Sequence, residues 1–86
     1  MSEFTVRTAG QLPALLKAFR KQAGLTQTAA AKRLGVTQQT LSALERHAER
    51  VSVERLLQLM AILGVELVLR QDERQDHLLP SEDLDW

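Results

Sequence analysis

The architecture of the chain turns on Leu25 to Glu45, LTQTAAAKRLGVTQQTLSALE. Thr26 is placed to cap a helix through its side-chain oxygen, and Ala29, Ala30 and Ala31 behind it are the strongest helix formers. Gly35 ends that helix, since glycine alone enters the left-handed conformation without a steric cost. Thr37 then caps a second segment, Gln38 to about His47, with Leu41 and Leu44 turned inward. Two short helices joined by a glycine turn are therefore expected here.

Upstream, Leu12, Leu15, Leu16 and Phe19 recur at the spacing of one helical face. Thr8 and Gln11 have capping-box spacing, but Pro13 would then lie past the first turn and lack a needed amide. A start near Gly10 or Gln11 removes the conflict, and the sequence leaves that boundary open. The helix should end near Ala23 and Gly24.

Downstream, His47 to Arg50 reads as a polar connection, and Ser52 caps a fourth helix with Glu54 in its first turn. Val53, Leu56, Leu57, Met60 and Leu63 form one expected stripe, and Leu59 and Ile62 extend it to a second face. A surface helix needs only one apolar side, so the second face should meet something else. After Gly64 the run VELVLR alternates and reads as a strand, with Glu66, Leu67, Val68 and Leu69 at its centre. A lone strand cannot satisfy its backbone. Its partner is either Phe4 to Val6 or the same strand of a second copy, and the doubly apolar fourth helix favours the second copy.

The chain has 86 residues, no cysteine, and only Phe4, Phe19 and Trp86 as aromatics. One small aliphatic core follows, near the size where oligomerisation is a common source of stability. Disulfide and thiol chemistry are excluded. With no signal peptide or long apolar run, a cytoplasmic location and no membrane contact are expected. The formal net charge is zero, yet it is sorted along the chain. Up to Arg50 there are eight basic residues against three acidic ones, and from Val51 onward three against eight. A basic working surface and an acidic tail fit that asymmetry. Residues 71–86, QDERQDHLLPSEDLDW, hold too few apolar side chains to offset their ordering entropy and are expected to be disordered. Residues 1–70 then make the folded domain.

The helix opening on Thr26-Gln27, the small Ala31, the turn at Gly35, the capped third helix and Glu45 together resemble the helix-turn-helix family of lambdoid phage repressors. The resemblance covers roughly Leu12 to Leu63. It implies an all-α bundle whose third helix enters the major groove with its N-terminal residues toward the base edges. Ala31 would be small because two helices cross there, and Ala30 stands where the family often has a larger aliphatic residue, so the second helix is expected to pack less fully. Thr37, Gln38, Gln39 and Ser42 fall at the base-reading positions, and a glutamine can pair bidentately with adenine. An isolated glutamine pair would be only exposed polarity; directly after this N-cap the reading role is favoured. Gln27 matches a phosphate-contacting position, with Lys32, Arg33 and Arg46 as further phosphate candidates. Arg20 and Glu45 match an internal ion pair between the first and third helices.

No active site is legible. His47 and His77 lack metal-ligand spacing, the serines have no base partner, and there is no glycine-rich phosphate loop. A non-enzyme without metal or cofactor is expected. The strand and the acidic tail ending in DLDW extend the resemblance to the HipB-type antitoxins, which pair with HipA-type serine/threonine kinase toxins. That resemblance implies a homodimer closed by a two-stranded lid, one strand from each subunit, an autoregulatory repressor bound to operator DNA in the nucleoid, and a tail whose Leu84 and Trp86 dock on the toxin. The contrasting expectation is a stand-alone repressor with no toxin.

Overall fold

A computed structural model of the chain describes residues 3–71, and two 3-10 turns and four α-helices account for its order. A 3-10 turn at Ala9–Gln11 leads into α1 (Leu12–Gln22). Then follow α2 (Gln27–Leu34), α3 (Gln38–Arg46), a second 3-10 turn at Ala48–Arg50, and α4 (Val53–Ile62).

The open boundary at the first helix resolves in a way that accommodates proline. The 3-10 turn absorbs Thr8 to Gln11, so Pro13 falls within the first two positions of α1, where no amide is required. Gln11 Oε1 accepts from the backbone N–H groups of Arg7 (2.6 Å) and Thr8 (2.9 Å), tying down the entry. Thr26, Thr37 and Ser52 cap α2, α3 and α4, each side-chain oxygen accepting an N–H three residues on. Gly35 has φ 81°, and behind it the Val36 N–H reaches the Ala31 carbonyl at 3.0 Å. That left-handed step lets α3 leave sharply from α2.

Leu16, Ala30, Ala31, Leu41, Ala48, Leu59, Met60 and Leu63 form the buried core, with Leu12, Phe19, Leu25, Leu34, Val36, Leu56, Ile62 and Val65 packed around it. Ala30, expected to leave α2 less fully packed, is completely covered. Ala48 corrects the reading of His47 to Arg50 as a purely polar connection: the 3-10 turn directs this one small side chain into the core. Leu44 stays half-buried at the rim, less inward than Leu41.

The fourth helix requires a second correction. Its core face is Leu56, Leu59, Met60 and Leu63, while Val53 and Leu57 are 65% and 43% exposed. The two possible stripes share Leu56, Met60 and Leu63, so periodicity could not choose between them; the bundle selects Leu59. An unpartnered apolar side exists as expected, but it carries Val53 and Leu57 rather than Leu59 and Ile62.

No strand is formed among the described residues, and Val65 to Arg70 has no ladder partner. Leu67, Val68 and Leu69 are all exposed. The acidic segment, with Leu84 and Trp86, lies outside the described residues.

Candidate nucleic-acid interface

Gln27, Gln38, Gln39, Ser42 and Arg46 line one shallow concavity of about 290 Å³, between the N-terminus of α2 and one face of α3. Threonine caps stand at both helix starts. Each occupies its own helix start, which leaves the next side chains, Gln27 and Gln38, beside unpaired backbone N–H groups of a first turn. Such termini favour anionic groups. Thr37 itself is spent locally: its oxygen accepts from the Thr40 N–H at 3.1 Å and donates to the Thr40 hydroxyl at 3.0 Å. Gln38 and Gln39 are exposed and carry no side-chain hydrogen bond among the described residues, so both amide ends are available.

Beneath this surface lies a buried ion pair. Arg20 Nε donates to Glu45 Oε2 at 2.6 Å, and Nη2 donates to Oε1 at 3.2 Å. The residues are 8% and 5% exposed. Arg20 Nη1 also donates to the Leu25 carbonyl at 2.9 Å, so one guanidinium ties α1, the α1–α2 connection and the end of α3. Gln27 Nε2 donates to Glu45 Oε1 at 3.2 Å. A carboxylate only accepts, so the amide nitrogen of Gln27 must turn inward and its oxygen faces the concavity.

A second depression of about 360 Å³ adjoins the first and shares Gln27, Ser42 and Arg46 with it. It adds Pro13, Ala14, Lys17 and Glu45. Lys17 was not singled out from the sequence, although a signal existed. It sits one turn before Arg20, and the Arg20–Glu45 contact fixes that face of α1 against α3. Lys32 and Arg33 are exposed in the last turn of α2 and line neither depression. No group of three or more histidine, cysteine, aspartate or glutamate residues that could hold a metal ion occurs among the described residues. No described helix is long and apolar enough to cross a membrane.

An all-helical bundle with a glycine-turned helix pair, a capped and exposed recognition helix and polar side chains at its tip defines a DNA-binding transcription regulator. The chain belongs to the helix-turn-helix family (HTH_3), whose profile matches residues 16–69. Among solved structures it is similar to the protein chain of a HipB–O1–O2 complex, at 25% identity and a TM-score of 0.71, over 80% of this chain and all of that one. It is equally similar to a serine-to-alanine HipB variant in an O2 20mer complex, at 25% identity and a TM-score of 0.72, over 84% of this chain and all of that one. The architecture is thus HipB-like. No curated protein matches the chain by sequence.

Proposed function

We propose that the chain is a dimeric, sequence-specific repressor and antitoxin that binds operator DNA in its own promoter and holds a HipA-like serine/threonine kinase toxin. The observation that carries the DNA half is the concavity along α3, where two unengaged glutamines sit on a frame locked by a buried ion pair. Gln38 and Gln39 read base edges, with Ser42 one turn further along the same face and Thr37 at the helix tip. Gln27, Lys17 and Arg46 meet phosphates beside them, while Lys32 and Arg33 contribute a more distant basic field. The HipB chains to which this one is similar were captured in complexes named for O1 and O2, which supports the same use of this surface.

The exposed Val53 and Leu57 on α4, together with Leu67, Val68 and Leu69, support dimerisation through that side. Residues 66–69 of each copy pair across the two-fold axis as a two-stranded lid. Two recognition helices then face successive major grooves, about 34 Å apart or a multiple of it. Residues 71–86, with Leu84 and Trp86, bind the kinase outside the DNA interface, where their acids are not opposed by phosphate. A cytoplasmic, nucleoid-associated location follows from that role.

Fluorescence anisotropy tests the reading: the duplex taken from the chain's own promoter should be retained at physiological salt over a scrambled duplex. Co-purification with the product of the neighbouring gene tests the kinase half. Equal affinity for both duplexes would end the sequence-specific reading. Operator binding without capture of a kinase would leave a stand-alone repressor.

A further inference from the structure

Seven large apolar side chains are exposed among the described residues, and five of them lie in two segments: Phe4 and Val6 near the N-terminus, and Leu67, Val68 and Leu69 after α4. The two segments touch at one pair of exposed side chains. Glu3 Oε1 lies 3.8 Å from Arg70 Nη1, and the Phe4 ring meets Phe19 edge-on at 5.5 Å, against a side chain that itself packs on the core. No backbone hydrogen bond joins them in the single chain, so apart from the Arg7 N–H, which Gln11 Oε1 holds, each leaves a row of N–H and C=O groups without a partner among the described residues.

Their sequences fit one antiparallel register. With Glu3 opposite Arg70, Thr5 falls opposite Val68 and Arg7 opposite Glu66, which puts two opposite-charge pairs on one face. The other face pairs Phe4 with Leu69 and Val6 with Leu67, the apolar side that Phe4 already turns toward Phe19. Slipping by one residue sets Val6 against Glu66 or Phe4 against Arg70 and mixes the faces. Slipping by two preserves the faces but breaks both charge pairs.

We propose that residues 3–7 add as an outer antiparallel strand to residues 66–70 of the same chain, in the register Glu3·Arg70, Thr5·Val68 and Arg7·Glu66. A strand has two edges, so this pairing coexists with the lid contact to a second copy and extends a two-stranded lid to four strands. The inference builds on the proposed lid, and each can fail without the other. The outer strand covers an edge that would otherwise recruit further chains.

The absence of cysteine allows a clean test in the full chain. Directly opposite residues place their Cα atoms about 4.5–5.5 Å apart, within disulfide reach. A diagonal pair lies about 7–8 Å apart and is out of reach. Under mild oxidation, the double variant Thr5→Cys with Val68→Cys should close an intrachain disulfide, read by mass spectrometry and non-reducing electrophoresis. Thr5→Cys with Arg70→Cys should not. All three positions are exposed, so the core is untouched. Adding Arg7→Glu to the first pair should slow closure about two- to fivefold, and Glu66→Arg should restore it. Equal closure of both pairs, no closure of the first, or an interchain bond on mixing the Thr5→Cys and Val68→Cys single variants would overturn the proposal. Light scattering on the parent reads the lid separately. A dimer without the 5–68 bond sinks only the outer strand, and the bond in a monomer sinks only the lid.

Discussion

Replacing Arg20 by leucine should be the most damaging single change that leaves the reading surface itself untouched. The substitution removes two charge-assisted bonds to Glu45 and the bond to the Leu25 carbonyl. It leaves a carboxylate whose side chain is 7% exposed with only the Gln27 amide for company. Breaking a buried pair in this way costs about 3–5 kcal/mol, because the orphaned charge stays out of water. A domain of this size has roughly 4–13 kcal/mol in total, so the variant should be near its limit of stability. With a urea dependence of about 1–3 kcal/mol per molar, the midpoint should fall by about 2 M. Replacing both residues, Arg20→Leu with Glu45→Leu, removes the orphan and should recover most of the loss. Circular dichroism through a urea titration, at one fixed chain concentration because the proposed dimerisation would be linked to folding, gives all three values. A single-variant loss below about 1 kcal/mol would place the pair with exposed ones and refute the argument. So would a double variant less stable than either single one.

Gln38→Ala or Gln39→Ala should cost about 1–3 kcal/mol on the specific site and relax the preference at one base pair, measured by anisotropy on systematically altered duplexes. Arg33→Ala should weaken all sequences alike and reduce the salt slope by about one, which titrations at several salt concentrations resolve. Val68→Pro removes a ladder donor and Leu57→Asp charges the open face of α4; either should shift light scattering from twice the chain mass toward the monomer at micromolar concentration. A chain ending at Gln71 should fold, dimerise and bind operator as the parent does, yet bind the proposed kinase partner more weakly. Trp86→Ala should reproduce much of that loss in calorimetry, on the order of 2 kcal/mol before the ordering cost of the segment is set against it.

The helix pair was legible because its signals are local and each has one meaning. Thr26 and Thr37 cap where a side-chain oxygen three residues before an N–H must cap, and Gly35 takes the left-handed conformation at the turn. The Arg20–Glu45 contact spans 25 residues and came through resemblance rather than local pattern. What the sequence missed depends on tertiary choice. The orientation of α4 was ambiguous because two stripes share three residues, and only contact with the bundle buries Leu59 and exposes Leu57. Ala48 looked like part of a polar connection because one small side chain carries no periodicity. Lys17 reaches the edge of the interface only because a buried pair three residues away fixes the rotation of α1.

These placements couple stability to reading. The core is small and three of its eight buried side chains are alanines, so apolar burial alone leaves little margin. The buried ion pair adds geometric definition more than net stability, since two apolar residues in its place could do as well energetically. Its value lies in where it points. Through Glu45 it fixes the amide of Gln27, and through α3 it fixes the axis on which Gln38 and Gln39 stand. A glutamine discriminates bases only if its donor and acceptor ends arrive in a set order, which demands a rigid axis beneath a free side chain. In the proposed dimer, further stability would come from the exposed side of α4. Val53 and Leu57 are 65% and 43% exposed, so covering what remains against a second copy would return about 1–2 kcal/mol for the first and about 1 kcal/mol for the second. In the proposed dimer that one contact would both strengthen the fold and set the spacing of two reading heads, so a change that loosens the lid should weaken operator binding without touching a residue of the candidate DNA interface.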